Sequence, residues 1–452
     1  MKDDHALRRW SRVLVAVLAG CALLAGVAAC GSNSSTSTSA STSAATSAGT
    51  SASTTATAPA ESGDASQTAN NRPVKKASGT PIKTMTITSL DSQGPVYPNI
   101  SITAKAYEQW INNHGGIAGA PLQVTVCDEH GKPTDASACA RQAVQDKVVA
   151  VVGSFSFLGT NIMPALEKAQ IPVFGECCPI TPPQWTSDIS FPMGTQPLYG
   201  VGLVKRAVED GCKNINAVII DGAQGFLPPM ENAMKAYGMK FGKTVILPPT
   251  AQDQSPQVAE ATGGGADCVI MIVSETPYIA WNQAWVQSGT KARMYGPQGN
   301  LDNVSIKGLG NALDGNIIGG MYPDLATTPW AVYRQALKDA NADPNQDYNS
   351  LGGMGTWAAY TGFTQIAEAI PGAPQSINAK TYLAQAAKTT NLDTKGMVPV
   401  IDFTKPWTEN PPFKRLFNRT VVFSTIKDGK VVPLTTEFED VSDLALGKKP
   451  SQ

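Results

Sequence analysis

The sequence of 452 residues has little histidine, no excess of either charge and no long hydrophobic run. It contains 35 basic and 36 acidic residues, and this balance argues against a nucleic-acid-binding protein, which carries a clear basic excess. Only His114 and His130 remain beyond the first 29 residues. A zinc site needs several imidazole or thiolate ligands at compatible spacing, so we expect neither a metal nor another cofactor.

The N-terminus has the composition of an export signal. Three arginines precede an apolar run from Val13 to Ala25, which is too short to cross a bilayer and is typical of a secretory signal peptide. The segment Val27-Ala28-Ala29-Cys30 resembles the bacterial lipobox, at which Cys30 is acylated and becomes the new N-terminus. We therefore expect residues 1–29 to be removed and Cys30 to anchor the protein to the outer face of the cytoplasmic membrane. An ordinary signal peptide with a chance cysteine is the alternative.

Removal of the signal peptide would change the formal net charge from −1 to −3. Residues 30–76 are mostly Ser, Thr, Ala and Gly, a composition that cannot bury enough apolar surface to offset the entropy of ordering. We expect a disordered tether with an end-to-end distance of roughly 35 to 40 Å. The folded part would then stand clear of the membrane.

From Pro81 onward, short β-branched runs alternate with longer helical patterns, which predicts an α/β fold with mostly parallel sheets. The pattern restarts after a turn-rich stretch at residues 182–194, so we expect two similar lobes, each a doubly wound sheet with helices on both faces. Ligands of such sheets bind beyond the carboxyl ends of the strands, and two lobes face to face form a central cleft. The predicted strands are 84–89, 122–127, 148–153 and 171–175 in the first lobe, 217–221, 244–247, 268–273 and 293–296 in the second, and a terminal hairpin of 420–426 and 430–434.

Six cysteines remain after Cys21 in the signal peptide and the acylated Cys30 are set aside, and export permits disulfides. Cys127 ends a predicted strand and Cys139 lies on the next helix, so these two are expected to pair. Cys212 precedes the first strand of the second lobe and Cys268 opens its third strand, and such strands are neighbours in the usual doubly wound order. The adjacent Cys177 and Cys178 remain, as a vicinal disulfide or as two free thiols.

No familiar catalytic arrangement is present in the sequence. The nearest candidate for a nucleophile elbow, residues 153–157, lacks the G-x-S-x-G spacing. The Gly242-Lys243-Thr244 triplet has Tyr237 where a phosphate-binding loop requires glycine. We therefore do not expect an enzyme.

The segment Asn112 to Gly119 (NNHGGIAG) resembles the N-x-x-G-G-I-x-G element of extracellular solute-binding proteins of the branched-chain amino acid family of ABC importers. Residues 148–153, 169–173 and 428–430 match this family in the same order. The resemblance implies a type I periplasmic-binding fold whose chain crosses between the lobes more than once. The implied organisation is residues 77–196 and 323–395 in lobe 1, residues 197–322 and 396–441 in lobe 2, and a C-terminal tail of residues 442–452.

A bound amino acid needs hydroxyl and N–H groups for its carboxylate, an acid for its ammonium and an apolar wall for its side chain. The resemblance implies that Ser156 and Thr181 hold the carboxylate, and it places an aromatic residue at Phe226. Glu275 would bind an ammonium. However, Tyr278 lies at the position of the family's acid, so an aromatic or amide-bearing ligand fits equally well. The other residues expected at the cleft lie in strand-end loops and are Tyr97, Ser154, Phe155, Phe157, Pro179 and Gln224.

These observations predict a monomeric, lipid-anchored receptor that captures a small molecule and delivers it to the membrane permease of an ABC importer. A ligand-sensing lipoprotein of the same fold is one alternative. The other alternative is an exported enzyme with a nucleophilic Cys177 or Cys178.

Overall fold

The computed structural model describes residues 72–248 and 253–449, apart from the side chains of residues 275 and 276. The expected signal peptide, the acylated Cys30 and nearly all of the tether lie outside the described residues. Among the helices of the described part, none combines the length and the apolar character needed to span a bilayer.

The first sheet contains five parallel strands in the order β2-β1-β3-β4-β5. Strands β1, β3, β4 and β5 are mostly buried, as expected for a parallel sheet covered on both faces, and the edge strand β2 is only partly buried. Proline stands at the start of three of its helices, where a missing N–H is tolerated. The elements are β1 (Ile82–Thr88), α1 (Pro98–Asn113), β2 (Leu122–Asp128), α2 (Pro133–Gln145), β3 (Ala150–Val152), α3 (Gly159–Ala169), β4 (Val173–Phe174), α4 (Pro182–Thr186) and β5 (Ser190–Phe191).

The second sheet has eight strands, of which five are parallel and the rest come from the C-terminal part of the chain. Its strands lie in the order β12 (Lys430–Pro433), β11 (Thr420–Lys427), β10, β9, β8, β6 and β7, and β13 (Glu439–Asp440) pairs with β11. The elements of its first part are α5 (Tyr199–Glu209), β6 (Ile215–Ile220), α6 (Leu227–Ala236), β7 (Thr244–Leu247), α7 (Ser255–Ala261), β8 (Cys268–Ile272), α8 (Glu275–Ser288), β9 (Arg293–Pro297) and β10 (Ile317–Gly320).

After β10 the chain returns to the first sheet. Three helices follow, namely α9 (Ala331–Asp339), α10 (Leu351–Glu368) and α11 (Ala379–Ala387). The hydroxyl of Tyr360 on α10 is hydrogen-bonded to Thr86 of β1 at 2.8 Å, and Thr356 Oγ1 donates to the carbonyl of Gly153 at 2.8 Å. Helix α10 therefore lies directly on the first sheet.

Residues 396–415 also pack against the first sheet, although the sequence analysis assigns them to the second lobe. Phe403 contacts Phe174 and Phe191 with ring centroids 5.8 and 5.3 Å apart. Arg415 Nε donates to the carbonyl of Ser190 at 2.8 Å. These aromatic contacts keep the segment on the first sheet, and the chain crosses to the second sheet only between Arg415 and Thr420.

The C-terminal part completes the second sheet. Strands β11 (Thr420–Lys427) and β12 (Lys430–Pro433) form the predicted hairpin, and β13 (Glu439–Asp440) follows. The expected tail after residue 441 instead contains a short helix, α12 (Ser442–Ala445). Leu444 of this helix is buried, and Asn232 of α6 donates to the carbonyl of Ala445 at 3.0 Å, so apolar packing holds it against the domain.

The described residues form two disulfides, Cys127–Cys139 and Cys212–Cys268, and these are the pairings that the sequence predicts. Cys177 and Cys178 are free and buried. Among the described residues, the group Cys212, Asp267 and Cys268 has the spacing of metal ligands. Because both of its cysteines belong to a disulfide, it offers no thiolate.

Candidate functional site

The candidate site lies where the parallel strands of both sheets end. In open α/β sheets these carboxyl ends hold the ligand-binding loops. In the first sheet, the loops after β1 and β3 bring three predicted residues together. The ring of Phe155 lies 4.6 Å from that of Tyr97 and 5.2 Å from that of Phe157. The strand ends therefore carry an aromatic group, of which Phe157 is half exposed.

A buried carboxylate lies beside this aromatic group. Glu129, which follows β2, is only 1% exposed. Its Oε2 accepts a hydrogen bond from Ser156 Oγ at 2.5 Å, and its Oε1 accepts one from Ser89 Oγ at 3.2 Å. Burial raises the pKa of Glu129, and the serine hydroxyls oppose that shift. The hydroxyl of the predicted ligand residue Ser156 thus donates its hydrogen bond to Glu129.

Ser154 and Thr181 are also engaged within the protein. Ser154 Oγ accepts from the backbone N–H of Ile87 at 2.9 Å. Thr181 Oγ1 donates to Gln184 Oε1 at 2.8 Å, and this oxygen also accepts from the N–H groups of Ile180 and Thr181. Pro179 is buried in the same loop. The loop after β4 is therefore held rigid by Gln184.

A second buried acid follows β4. Glu176 is 5% exposed, and its Oε1 accepts from Gln184 Nε2 at 2.8 Å. Its Oε2 has no hydrogen-bond partner among the described residues. Burial and the neighbouring charge of Glu129 raise the pKa of Glu176 to about 7. Glu176 can therefore either donate or accept a hydrogen bond near neutral pH.

Cys177 and Cys178 continue this loop into the interior. Burial is the main reason that the pKa of Cys178 is raised, and Cys177 and Glu176 add to the shift. A nucleophilic cysteine instead needs a lowered pKa so that the thiolate forms. The environment of Cys178 thus favours the inert thiol.

The elements of the second sheet place the remaining predicted residues differently. Phe226 is partly buried, and its ring lies 5.2 Å from that of Tyr199. Gln224 is exposed and is hydrogen-bonded to Asp221 at 2.8 Å and to the N–H of Gly222 at 2.9 Å. Its amide is thereby used within its own turn.

Tyr278 lies in the core of the second sheet. It is fully buried with Trp281 and Leu301 in one apolar cluster. Its hydroxyl occupies the space where a Cβ of Gly296 would lie, at 2.4 Å from that position. The Tyr278 ring therefore packs into the apolar core of the second sheet. The side chain of Glu275 is outside the described part of the chain.

Two polar residues that the sequence analysis missed lie where the chain crosses between the sheets. Thr195 Oγ1 and the Tyr322 hydroxyl are buried and have no partner among the described residues. A Cβ at Gly355 would lie 2.7 Å from Cys177 Cβ and 2.9 Å from the Tyr322 hydroxyl. The hydroxyl of Tyr322 thus reaches the loop that carries Glu176.

Glu129 and Glu176 were missed as well, although position alone could have identified them. Each follows a strand of the first sheet by one or two residues. A charged residue at that position is a candidate for a ligand contact.

A cavity of about 500 Å³ opens at the same edge of the first sheet. The loops after β1, β2 and β3 line it, including Ser89, Glu129, His130, Lys132 and Phe157. Its volume is in the range typical of small-molecule sites.

The comparisons with known proteins agree with this architecture. The sequence profile of the periplasmic binding protein family matches residues 86–410. A search of curated proteins found no match.

Several solved structures share the fold. A fatty acid ABC transporter substrate-binding protein from Thermomonospora curvata is 18% identical, with a TM-score of 0.65 over 82% of this chain and 96% of that one. A leucine-binding protein from Thermotoga maritima is 17% identical, with a TM-score of 0.62 over 80% and 99%. A solute-binding protein from R. palustris in complex with 4-hydroxybenzoate is 16% identical, with a TM-score of 0.62 over 80% and 98%. Identities this low establish a shared fold and not a shared ligand.

Proposed function

Because this chain belongs to the periplasmic binding protein family, we propose that it is a non-enzymatic receptor that closes two lobes over a small molecule and delivers it to an ABC importer. The observation that carries the proposal is the arrangement of two parallel sheets whose strand-end loops hold buried, unpaired polar groups. Closure would be a hinge movement driven by ligand contacts to both lobes.

The two lobes of the proposal follow the packing. Lobe 1 comprises residues 72–196 and 323–415, and lobe 2 comprises residues 197–322 and 416–449. In lobe 1 the proposed ligand contacts are Tyr97, Ser154, Phe155, Ser156, Phe157, Pro179 and Thr181, together with Glu129 and Glu176. In lobe 2 they are Gln224, Phe226, Glu275 and Tyr278, together with Tyr322 at the crossing.

We also propose that acylated Cys30 anchors the receptor outside the cytoplasmic membrane and that it works as a monomer. The lipobox-like segment that ends at Cys30 and the Ser/Thr-rich segment that follows support the anchor. Replacing Cys30 by serine is expected to move the protein from the membrane fraction to the soluble fraction.

The relatives named above bind chemically different molecules, namely leucine, a fatty acid and 4-hydroxybenzoate, so a broad ligand screen tests the proposal. The test is a thermal-shift screen of the Cys30→Ser protein, unfolded and refolded to remove carried-over ligand. A ligand that binds only the native state stabilises it by about 2.7 kcal/mol at 100 times its dissociation constant. For a domain of this size we expect a rise in Tm of a few degrees.

The screen should contain amino acids, amides, carboxylic acids, amines and aromatic compounds. A rise with one chemical class supports a receptor. Turnover of any of these compounds, or no shift with any of them, would contradict the proposal.

A further inference from the structure

The strand ends of the first lobe hold two buried acids without a basic partner. None of the ion pairs formed by described residues includes Glu129 or Glu176. His130 lines the adjacent cavity, but it faces Asp128 and Asp135, each at 3.4 Å. Buried carboxylates are normally paired with a positive charge or neutralised by a proton. No ion pair among the described residues supplies a positive charge to Glu129 or Glu176.

The groups expected to hold a ligand carboxylate are occupied. The Ser156 hydroxyl donates to Glu129 at 2.5 Å. The Thr181 hydroxyl donates to Gln184 Oε1 at 2.8 Å. A ligand carboxylate would therefore meet two acids and no available hydroxyl donor from either residue.

One oxygen of the Glu176 carboxylate is buried without a hydrogen-bond partner among the described residues. Gln184 fixes Glu176 through Oε1, whereas Oε2 is buried and unpaired among the described residues. The N–H of Gly194, in the first crossing between the sheets, lies 3.4 Å from the carbonyl of Glu176. The next residue is Thr195, which also has an unpaired buried oxygen. The residue that carries the unpaired oxygen therefore contacts the segment by which the chain crosses from the first lobe to the second.

We propose that the ligand carries an organic cation, an ammonium or guanidinium group, and that Glu176 Oε2 binds it while Glu129 contributes a second negative charge. This inference rests on the receptor function proposed above and assigns the charged group of its ligand. The aromatic group of Tyr97, Phe155 and Phe157 beside Glu129 suits such a ligand, because a cation is attracted to aromatic faces. The Ser156 hydroxyl then also fixes the position of Glu129, to which it donates.

The test compares compounds of similar shape that carry a positive charge, no charge or a negative charge. Benzylamine, benzamide and benzoate form one set, and isoamylamine, isovaleramide and isovalerate form another. Binding to the refolded Cys30→Ser protein is measured by calorimetry at pH 6 and pH 8. We expect the amine of at least one set to bind at least tenfold more tightly than its amide and carboxylate.

The pH dependence of the amine affinity distinguishes two modes of binding. In one mode ionised Glu176 attracts the cation, and in the other neutral Glu176 donates a hydrogen bond to the ligand. With a pKa of about 7, Glu176 is mostly protonated at pH 6 and mostly ionised at pH 8, so amine affinity should rise about tenfold over this range. The titratable groups around it are Glu129, Cys177, Cys178, Tyr199 and Tyr322. Burial raises the pKa of Glu129, Cys178, Tyr199 and Tyr322, so the Cys178 thiol and the two phenols stay neutral at pH 8.

Two variants complete the test. Glu176→Gln should lower amine affinity at least tenfold and abolish the pH profile, and its Tm should be equal or higher because a buried acid is removed. Glu129→Gln should cause a smaller loss. The matched control is Glu231→Gln, on the exposed side of α6, which should leave the amine affinity unchanged.

Three results would overturn the inference. Binding of a carboxylate or amide in preference to the amine would contradict the cation while leaving the receptor function intact. Amine binding that is unchanged in Glu176→Gln would contradict the assigned residue. Absence of binding by all six compounds would contradict the cation, and the broader screen above would then decide the receptor function separately.

Discussion

Tyr278 and Tyr360 are both fully buried, but their hydroxyls differ in what they contact. Tyr278 has no hydrogen-bond partner among the described residues, whereas the Tyr360 hydroxyl is hydrogen-bonded to Thr86 at 2.8 Å and lies 3.3 Å from Thr84. An unsatisfied buried polar group costs free energy, and a satisfied one contributes about 1 kcal/mol. The same substitution should therefore have opposite effects at these positions.

We predict that Tyr360→Phe lowers the free energy of unfolding by about 1 kcal/mol, and that Tyr278→Phe leaves it unchanged or raises it by up to about 1 kcal/mol. Urea unfolding of the ligand-free protein measures both. Equal losses in the two variants would show that the Tyr278 hydroxyl has a partner in solution.

Single residues also show where sequence reasoning stops. The strand-end positions of Tyr97 and Phe155 were predictable, because a loop after a strand of a parallel sheet reaches the ligand edge. The burial of Tyr278 was not, because it depends on the absence of a side chain at Gly296, on a neighbouring strand. Likewise, Ser156 reads as a free hydroxyl in the sequence, and only the fold brings Glu129 within 2.5 Å of it.

At the scale of elements, glycines in the first sheet let α10 approach closely. Gly153 follows β3 with a φ of +60°, and a Cβ there would lie 3.0 Å from the Cα of Thr356. Gly289 ends α8 with a nearly equal φ of +64°, and nothing lies within 4 Å of its Cβ position. Both glycines thus have the left-handed conformation that a side chain would strain, but only at Gly153 would that side chain also clash with a helix.

We therefore expect Gly289→Ala to cost about 1 kcal/mol, the strain of a left-handed conformation. Gly153→Ala should cost roughly 1 to 3 kcal/mol more, because it also forces α10 away from the sheet. Chemical denaturation of both variants gives the difference. A difference near zero would mean that α10 moves at no cost.

Most helices and strands could be predicted from the sequence, because they coincide with its β-branched runs and its helical periodicity. The strands that were missed are β5, β10 and β13. Strand β5 has only two residues, which is too short for a pattern. Strand β10 ends in Gly319 and Gly320, which disfavour a strand locally. There the side chains of Leu203 and Gln298 fill the space of the missing Cβ atoms.

For the whole molecule, an acid pair joins the two sheets beside the second crossing. Asp302 follows β9 of the second sheet, and Asp347 precedes α10, which packs on the first sheet. Burial raises the pKa of Asp347, and the neighbouring carboxyl group of Asp302 opposes that shift. Asp324 adds a negative charge near Asp347, and Arg334 partly offsets the charge of Asp324. One of the two carboxyl groups must carry a proton for this contact to form.

An acid whose pKa is raised by folding stabilises the folded contact at low pH and loses that contribution as the pH rises past its ordinary value toward its raised value. We predict that the ligand-free protein has a smaller radius of gyration at pH 5 than at pH 8, measured by small-angle X-ray scattering.

Asp347→Asn, whose amide donates without titrating, should keep the small radius at both values. Asp347→Ala should give the larger radius at both, because no donor remains. If the wild-type radius does not change while the alanine variant expands, the proton stays in the pair up to pH 8, and the contact holds the lobes together without sensing pH.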